Sequence, residues 1–205
     1  MHTETLAPET KRVLEKIAVE KFLDNFYLAG GNALALFFGH RISVDLDFFS
    51  PEDFSLPFLR KSISELGSYT LVNEEPGTLD GVLDDVKLTF LRYPYPALFP
   101  FIFFGGVRMA DPRDIACMKL DAVSSRGSRK DFVDLYVLME KYKLADLLDL
   151  FEKKYSGIHY NRLHLLKSLT YFIDAEEEPM PRMLQDISWE EIKMKISEEA
   201  KFLAV

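Results

Sequence analysis

Cysteine and tryptophan are almost missing from this chain: one of each among 205 residues. A single thiol, Cys117, excludes an internal disulfide framework and cannot build a cysteine-based metal site by itself. Long apolar runs are missing too. The richest stretches, Ala33 to Phe38 and Leu98 to Phe104, fall far short of the ~20 residues that cross a bilayer. The opening residues Met1-His2-Thr3-Glu4 lack the basic region and apolar core of a signal peptide. No internal repeat and no low-complexity segment is visible. Positive charge is in deficit, with 25 Lys and Arg against 33 Asp and Glu and a formal charge of -8. Broad, non-specific nucleic-acid binding needs a net positive footprint, so the charge argues against it, although not against a nucleic-acid substrate. These absences describe a cytoplasmic globular protein with no membrane partner.

What is present is a core. Apolar residues make up 48% of the chain and Phe alone supplies 17 positions, enough for one domain with a helical extension. Charge is also unevenly placed. Residues 101 to 145 hold eight Lys or Arg against six Asp or Glu, a slightly basic segment in an acidic protein, where a small cationic site can form.

Periodicity orders the elements. Helical spacing runs from Pro8 to about Asp24, with Pro in the first turn. Phe26 to Ala29 reads as a short buried strand broken by Gly30-Gly31, Ala33 to Phe38 as a brief helix and Val44 to Phe49 as a strand. A helix from Ser50-Pro51 to about Leu66 follows. Strands are expected over 68 to 73 and 82 to 93, separated by turns at Gly77 and Asp80-Gly81, and again from Phe101 to Met109. Asp111-Pro112 starts a helix to Ser125. Ser128 and Asp131 have capping-box spacing for the next. From Asp146 the pattern is helical, with Glu176-Glu177-Glu178 as an acidic linker and Ser188 with Glu191 capping a last helix to about Ala204. The architecture expected is α+β: a mixed sheet flanked by helices over residues 1 to 140, and an all-helical extension over 141 to 205.

Three features carry chemistry. Asp45 and Asp47 alternate within an apolar strand, so both carboxylates and Ser43 point to one face. Buried, such a pair needs a counter-charge, and a divalent metal is the usual one. The plain alternative is the polar edge of a half-exposed strand. Gly30-Gly31-Asn32 offers small residues, backbone amides and a helix N-terminus of the kind that holds phosphate, with Asn32 adding an amide side chain. The plain alternative there is ordinary turn chemistry. Farther on, Lys119 sits between Met118 and Leu120, Arg126 lies two turns later on nearly the same face, and Asp131 and Asp134 are one turn apart among apolar neighbours. A solvated helix surface would explain the same charges. His40, His159 and His164 have no partner at metal-ligand spacing and read as structural or surface residues.

Four motifs in order, Gly30-Gly31-Asn32-Ala33-Leu34-Ala35-Leu36, His40-Arg41-Ile42-Ser43-Val44-Asp45-Leu46-Asp47-Phe48-Phe49, Asp114 to Ala122 around Lys119, and Arg126 to Tyr136 around Asp131 and Asp134, resemble the AbiEii/AbiGii nucleotidyltransferase toxin family of abortive-infection and toxin–antitoxin systems. The resemblance spans residues 25 to 140. It implies a DNA polymerase β-like nucleotidyltransferase fold in which Gly30, Gly31 and Asn32 hold a nucleoside triphosphate. Asp45 and Asp47 would bind Mg²⁺ or Mn²⁺, Lys119 would contact the phosphates, and Asp131 or Asp134 would complete the catalytic set. Arg41, Ser43, Lys87, Arg126 and Lys130 are the further nucleotide-binding candidates. The acceptor hydroxyl would belong to a tRNA 3′ end, a protein side chain or a small molecule, and an antitoxin would be a partner.

The chain departs from that pattern twice. The strand after the acidic pair usually carries a third carboxylate, and here Lys87 falls near that place, with Asp85 as a substitute on the same face. Asn32 stands where serine or threonine is more common. Both departures keep open a nucleotide-binding module that acts through a protein partner without turnover. An Asp-x-Asp phosphohydrolase fits less well, because Phe48-Phe49 follow the acidic pair where that chemistry wants a loop threonine.

Overall fold

The computed structural model describes residues 1–158 and 160–203. The chain forms two compact units, Met1–Asp111 and Pro112–Val205. The boundary expected after residue 140 falls inside the second.

In the first unit, α1 (Pro8–Ile17) buries Val13, Leu14 and Ile17. It stops short of the expected Asp24, because the next turn on that face would present Glu20 and Lys21. A 3-10 turn over Lys21–Asn25 brings Phe22 and Leu23 inward instead. Then follow β1 (Tyr27–Ala29), α2 (Gly30–Phe38), β2 (Leu46–Ser50), α3 (Leu56–Ser64), β3 (Tyr69–Glu75), β4 (Thr78–Leu83), β5 (Val86–Arg92), β6 (Ile102–Phe104) and β7 (Val107–Met109). Helix α3 starts at the Ser55 cap, whose hydroxyl accepts the Phe58 amide, and not at Ser50.

The strands make one mixed sheet in the order β3-β4-β5-β2-β1-β7-β6. Strand β2 is central, parallel to β5 and antiparallel to β1. Its inward residues Leu46 and Phe48 are fully buried. Phe48 stacks on Phe90 at 5.1 Å between ring centroids, and Phe26 meets Phe90 edge-on at 5.1 Å. Rings packed this way dominate core energetics, each contributing about 1.5–3 kcal/mol on full burial.

Two hairpins revise the strand reading. Residues 82 to 93 are not one strand: Asp84 and Asp85 adopt left-handed φ of 46° and 68° and form the turn between β4 and β5. Asp80-Gly81, expected to be a turn, lies inside β4. Asp84 tolerates the turn because its carboxylate accepts from the Ser68 amide at 2.9 Å and from Lys16, local bonding that makes Asp one of the few residues at home with positive φ. Likewise Phe101 to Met109 breaks at Gly105-Gly106, both at positive φ, into β6 and β7. Paired positive φ at two central residues suits a two-residue hairpin.

The second unit consists of helices α4 (Pro112–Ser125), α5 (Arg129–Met139), α6 (Leu144–Lys154), α7 (Arg162–Ser168), α8 (Ile173–Glu176) and α9 (Trp189–Phe202). Helix α4 has the bounds expected, and Ser188 caps α9 by accepting the Glu191 amide at 3.2 Å. Helix α5 is buried from Asp131 to Met139. Its cap is not the expected box. Glu178 accepts the Arg129 amide at 2.8 Å, and the Arg129 guanidinium donates to the Ala175 and Glu176 carbonyls at 2.8 Å each. The segment read as an acidic linker is therefore docked on the start of α5. Residue 159 lies outside the described residues.

Candidate active site

The site residues of the first unit are built by one fold-back. Strand β1 ends at Ala29, in register with Asp47 of β2, and the chain turns at once into α2. Gly30 makes the turn with φ +72°, and a Cβ there would stand 2.9 Å from Asp47 Oδ2. Only glycine combines that backbone angle with that approach. A Cβ on Gly31 would run into the Arg41 guanidinium, with Ser43 Oγ 3.2 Å away. Asn32 donates its side-chain amide to the Asp45 carbonyl. Each residue of the turn thus touches a different part of the segment from 41 to 47.

Burial grades this cluster. Asn32, Arg41 and Ser43 are buried, whereas Asp45 and Asp47 are only half-buried. Asp45 is not a strand residue, since β2 begins at Leu46 and Val44 is 54% exposed. The carboxylates therefore sit at the strand's mouth beside the first turn of α2, where helix amides point outward without an acidic residue in that turn. His40 is fully buried, as a structural residue should be, and His164 is exposed.

Does this cluster suit a divalent cation? Among the described residues no group of three or more His, Cys, Asp or Glu is placed to hold one. The neighbouring strand supplies no third carboxylate: Asp47 pairs with Thr89 of β5, and Thr89 with Asp80 of β4. Asp80 is thus two strands away, about 10 Å, too far to share an ion with Asp47. Lys87 is exposed on β5 just before the first pair, Leu46 with Leu88. Asp85 is in the turn and does not share a strand face with Lys87. Two hard oxygen donors remain, with room beside them that a Gly30 Cβ would fill. That donor set fits Mg²⁺, which is commonly held by one or two carboxylates, its shell completed by substrate phosphate and water.

The second unit holds the other cluster. Lys119 on α4 donates to Asp131 Oδ1 at 2.9 Å and lies 2.7 Å from Asp134 Oδ2, both aspartates on α5 and fully buried. Arg126 reaches Asp131 in a fork, Nε to Oδ2 at 2.8 Å and Nη2 to Oδ1 at 3.1 Å. Ser128 adds a hydroxyl to Oδ2 at 2.7 Å. Gly127, at φ +56°, turns the chain between the helices. Burial by itself would raise the Asp131 pKa, but Lys119 and Arg126 beside it hold the carboxyl far below the usual carboxylate range. Two cations face two carboxylates, so the group is charge-balanced. Lys130 is exposed and is not brought to it.

Lys154 of this unit had no sequence signal. Lys154 of α6 pairs with Asp114 at 2.7 Å, each side chain 2% exposed, and lies 40 positions away along the chain. Cys117 in the same helix as Asp114 is an inert thiol, its pKa pushed up to about 12 by burial.

The mixed seven-stranded sheet with its flanking helices is a nucleotidyltransferase fold. Residues 12–99 and 78–201 match the sequence profile of the family described as nucleotidyl transferase AbiEii toxin, type IV TA system, and the chain belongs to that family. It is 39% identical over 196 residues to the uncharacterized protein aq_aa25 of Aquifex aeolicus, 92% of each chain being covered. Among solved structures, JHP933 of Helicobacter pylori superposes with a TM-score of 0.57 at 19% identity, over 98% of this chain and 90% of that one. MenT4, a nucleotidyltransferase toxin of Mycobacterium tuberculosis, gives 0.58 at 14% identity over 97% and 86%. At those identities the two structures speak to the fold alone. Among the described residues no helix is long and apolar enough to cross a membrane.

Proposed function

We propose that this chain moves a nucleoside monophosphate from a nucleoside triphosphate to an acceptor hydroxyl, on a tRNA 3′ end or a protein side chain, as the cytoplasmic toxin of a pair whose other member is an antitoxin protein. The observation that carries the reading is the contact set of the glycine turn: Gly30 against Asp47, Gly31 against Arg41 and Ser43, Asn32 on Asp45. It sets the first turn of α2 beside two carboxylates, the placement that a phosphate chain with a bound cation would use.

In this reading Asp45 and Asp47 hold Mg²⁺, or Mn²⁺. The ion, when bound, supplies Lewis-acid charge neutralisation at the reacting phosphate. The amides of Gly30 and Gly31 and the side chains of Arg41 and Ser43 orient the triphosphate. Within the second unit, Lys119 and Arg126 are the cations assigned to phosphate, Asp131 and Asp134 fix the Lys119 ammonium in direction, and the exposed Lys130 is a further candidate outside that group. Positioning and fixed charge do most of the work in phosphoryl chemistry.

The test is transfer of label from each α-labelled triphosphate into a cell extract, by the wild type and by Asp45→Asn and Asp47→Asn. Loss of transfer with an unchanged or higher Tm is expected; full activity in the double variant would refute the assignment. A second reading, a nucleotide-binding module without turnover, is favoured by one observation: β5 presents Lys87 and Thr89 where a third carboxylate is usual. Calorimetric binding of a triphosphate without pyrophosphate release would select it.

A further inference from the structure

Asp45 and Asp47 are fixed in different ways. Asp47 is a rung of the sheet, paired with Ala29 of β1 on one side and with Thr89 of β5 on the other, so ladder bonds set the peptide planes around it. Asp45 precedes β2, which begins at Leu46, and its neighbour Val44 is 54% exposed. A residue outside a ladder turns about its own φ and ψ unless something holds the two rigid peptide planes that flank it. Both planes are held here. The plane before Asp45 contains the Val44 carbonyl, which accepts a hydrogen bond from the Thr10 hydroxyl at 3.1 Å. The plane after it contains the Asp45 carbonyl, which accepts from the Asn32 side-chain amide. Just ahead of them, the Ser43 amide donates to the Thr5 carbonyl at 3.1 Å.

The groups that do the holding are themselves well anchored. Thr10 falls in the buried stripe of α1 with Val13, Leu14 and Ile17 and is 1% exposed. A hydroxyl in an apolar stripe is costly unless it is hydrogen-bonded, and the bond that Thr10 makes is the one to Val44. Thr5 is fully buried and closes the 3-10 turn Thr3–Thr5 by donating to the His2 carbonyl at 2.6 Å. The His2 amide in turn donates to the Leu36 carbonyl at 2.8 Å, near the end of the helix whose first turn meets Asp47.

We infer that Thr10 is a positioning residue for the acidic pair: through the Val44 carbonyl it fixes the direction of the Asp45 carboxylate, and with it the separation of the two cation ligands. The sheet sets Asp47, whereas one side chain of α1 and one of α2 set Asp45. The inference rests on the reading of Asp45 and Asp47 as ligands of a divalent cation. Groups that orient a metal ligand typically change metal affinity or activity by roughly ten- to a hundredfold. Thr10 works through a main-chain carbonyl, so its effect belongs at the low end.

The test is titration of the full chain with Mn²⁺ alone, followed by electron paramagnetic resonance of the free ion, for the wild type, Thr10→Val, Thr10→Ser and Asp45→Asn, with label transfer and Tm measured on the same samples. Thr10→Val keeps the shape and removes the hydroxyl. It should weaken Mn²⁺ binding about tenfold and lower transfer by a similar factor, with Tm almost unchanged, because the released carbonyl belongs to a residue 54% exposed and water can meet it. Thr10→Ser keeps the hydroxyl and opens a methyl-sized gap in the core. It should lower Tm yet hold Mn²⁺ binding and transfer within about twofold of wild type. A purely structural Thr10 would give the reverse order, and that result, or wild-type Mn²⁺ affinity and transfer in Thr10→Val, would overturn the inference. The two readings fail separately. No Mn²⁺ binding by the wild type, or wild-type binding by Asp45→Asn, would take the cation from the acidic pair and the inference with it. Loss of Mn²⁺ by Asp45→Asn beside its retention by Thr10→Val would remove Thr10 alone.

Discussion

The acidic pair of the first unit and the lysine–aspartate group of the second are both built from motif residues, yet their electrostatics are opposite. Asp45 and Asp47 are half-buried beside a glycine turn, at the border between core and solvent. Lys119, Asp131 and Asp134 are buried and satisfy one another at 2.7–2.9 Å. The first arrangement costs the fold little if its charge is removed. The second cannot lose a member without leaving a buried charge alone, which costs roughly 3–5 kcal/mol. A half-exposed carboxylate and a buried, ion-paired one can therefore be told apart by what their removal does to stability.

The sharpest way to break that contrast is Asp47→Asn, for which transfer should fall by on the order of 10²–10³-fold while the thermal midpoint holds or rises. A midpoint that falls along with activity would show that Asp47 stabilises the fold as the buried, paired Asp134 does. Next in size is Asp134→Ala. With Lys119 deprived of one partner, the expected loss of about 3–5 kcal/mol should lower Tm by 10 °C or more in a unit of this size, on the order of 4–8 °C per kcal/mol. A Tm within error of wild type would show that the Lys119 charge is satisfied elsewhere.

A third measurement uses acidity. Asp131 has its pKa depressed from 3.8. Its ionised form therefore stabilises the folded state fully above that ordinary value, and the contribution is lost as pH falls below it toward the folded-state pKa. Asp131→Asn should be less stable than wild type at pH 7, and the gap should close as pH is lowered from about 5 to below 3. A gap independent of pH would mean the carboxylate acts by shape and not by charge. Gly30→Ala is expected to have an intermediate effect on transfer, because a methyl group at φ +72° and 2.9 Å from Asp47 Oδ2 displaces either the turn or the carboxylate. The smallest effect belongs to Lys87→Ala. An exposed side chain on β5 should leave Tm unchanged and alter transfer less than tenfold; a larger loss would give Lys87 a direct part in binding phosphate.

The sequence was most legible where local rules and tertiary contacts agree. Helix α4 was readable to both ends, because Pro112 in a first turn and the break at Gly127 are local signals. The Ser188–Glu191 cap was readable for the same reason. The hairpin at Asp84-Asp85 was not, since alternation from Val82 to Phe90 runs straight through it and only Ser68 and Lys16, distant in sequence, make a left-handed aspartate turn acceptable. The cap of α5 misled in another way. Ser128 has the right spacing, but Asp131 is committed to Lys119 and Arg126, so the free amide is met by Glu178, 49 residues on.

Residue types and their order along the chain determined which groups exist to do chemistry here: two carboxylates one residue apart, a pair of glycines ahead of a helix, a lysine in an apolar helix. That follows because strand and helix periods are local properties of the backbone, and because charge in an apolar setting always needs an answer. Tertiary structure decided what answers each charge. Strand register set Thr89 beside Asp47, the fold-back at Gly30 brought the start of α2 against Asp47, and helix packing closed Lys119 against two aspartates, choices made by long-range contacts that no local pattern encodes.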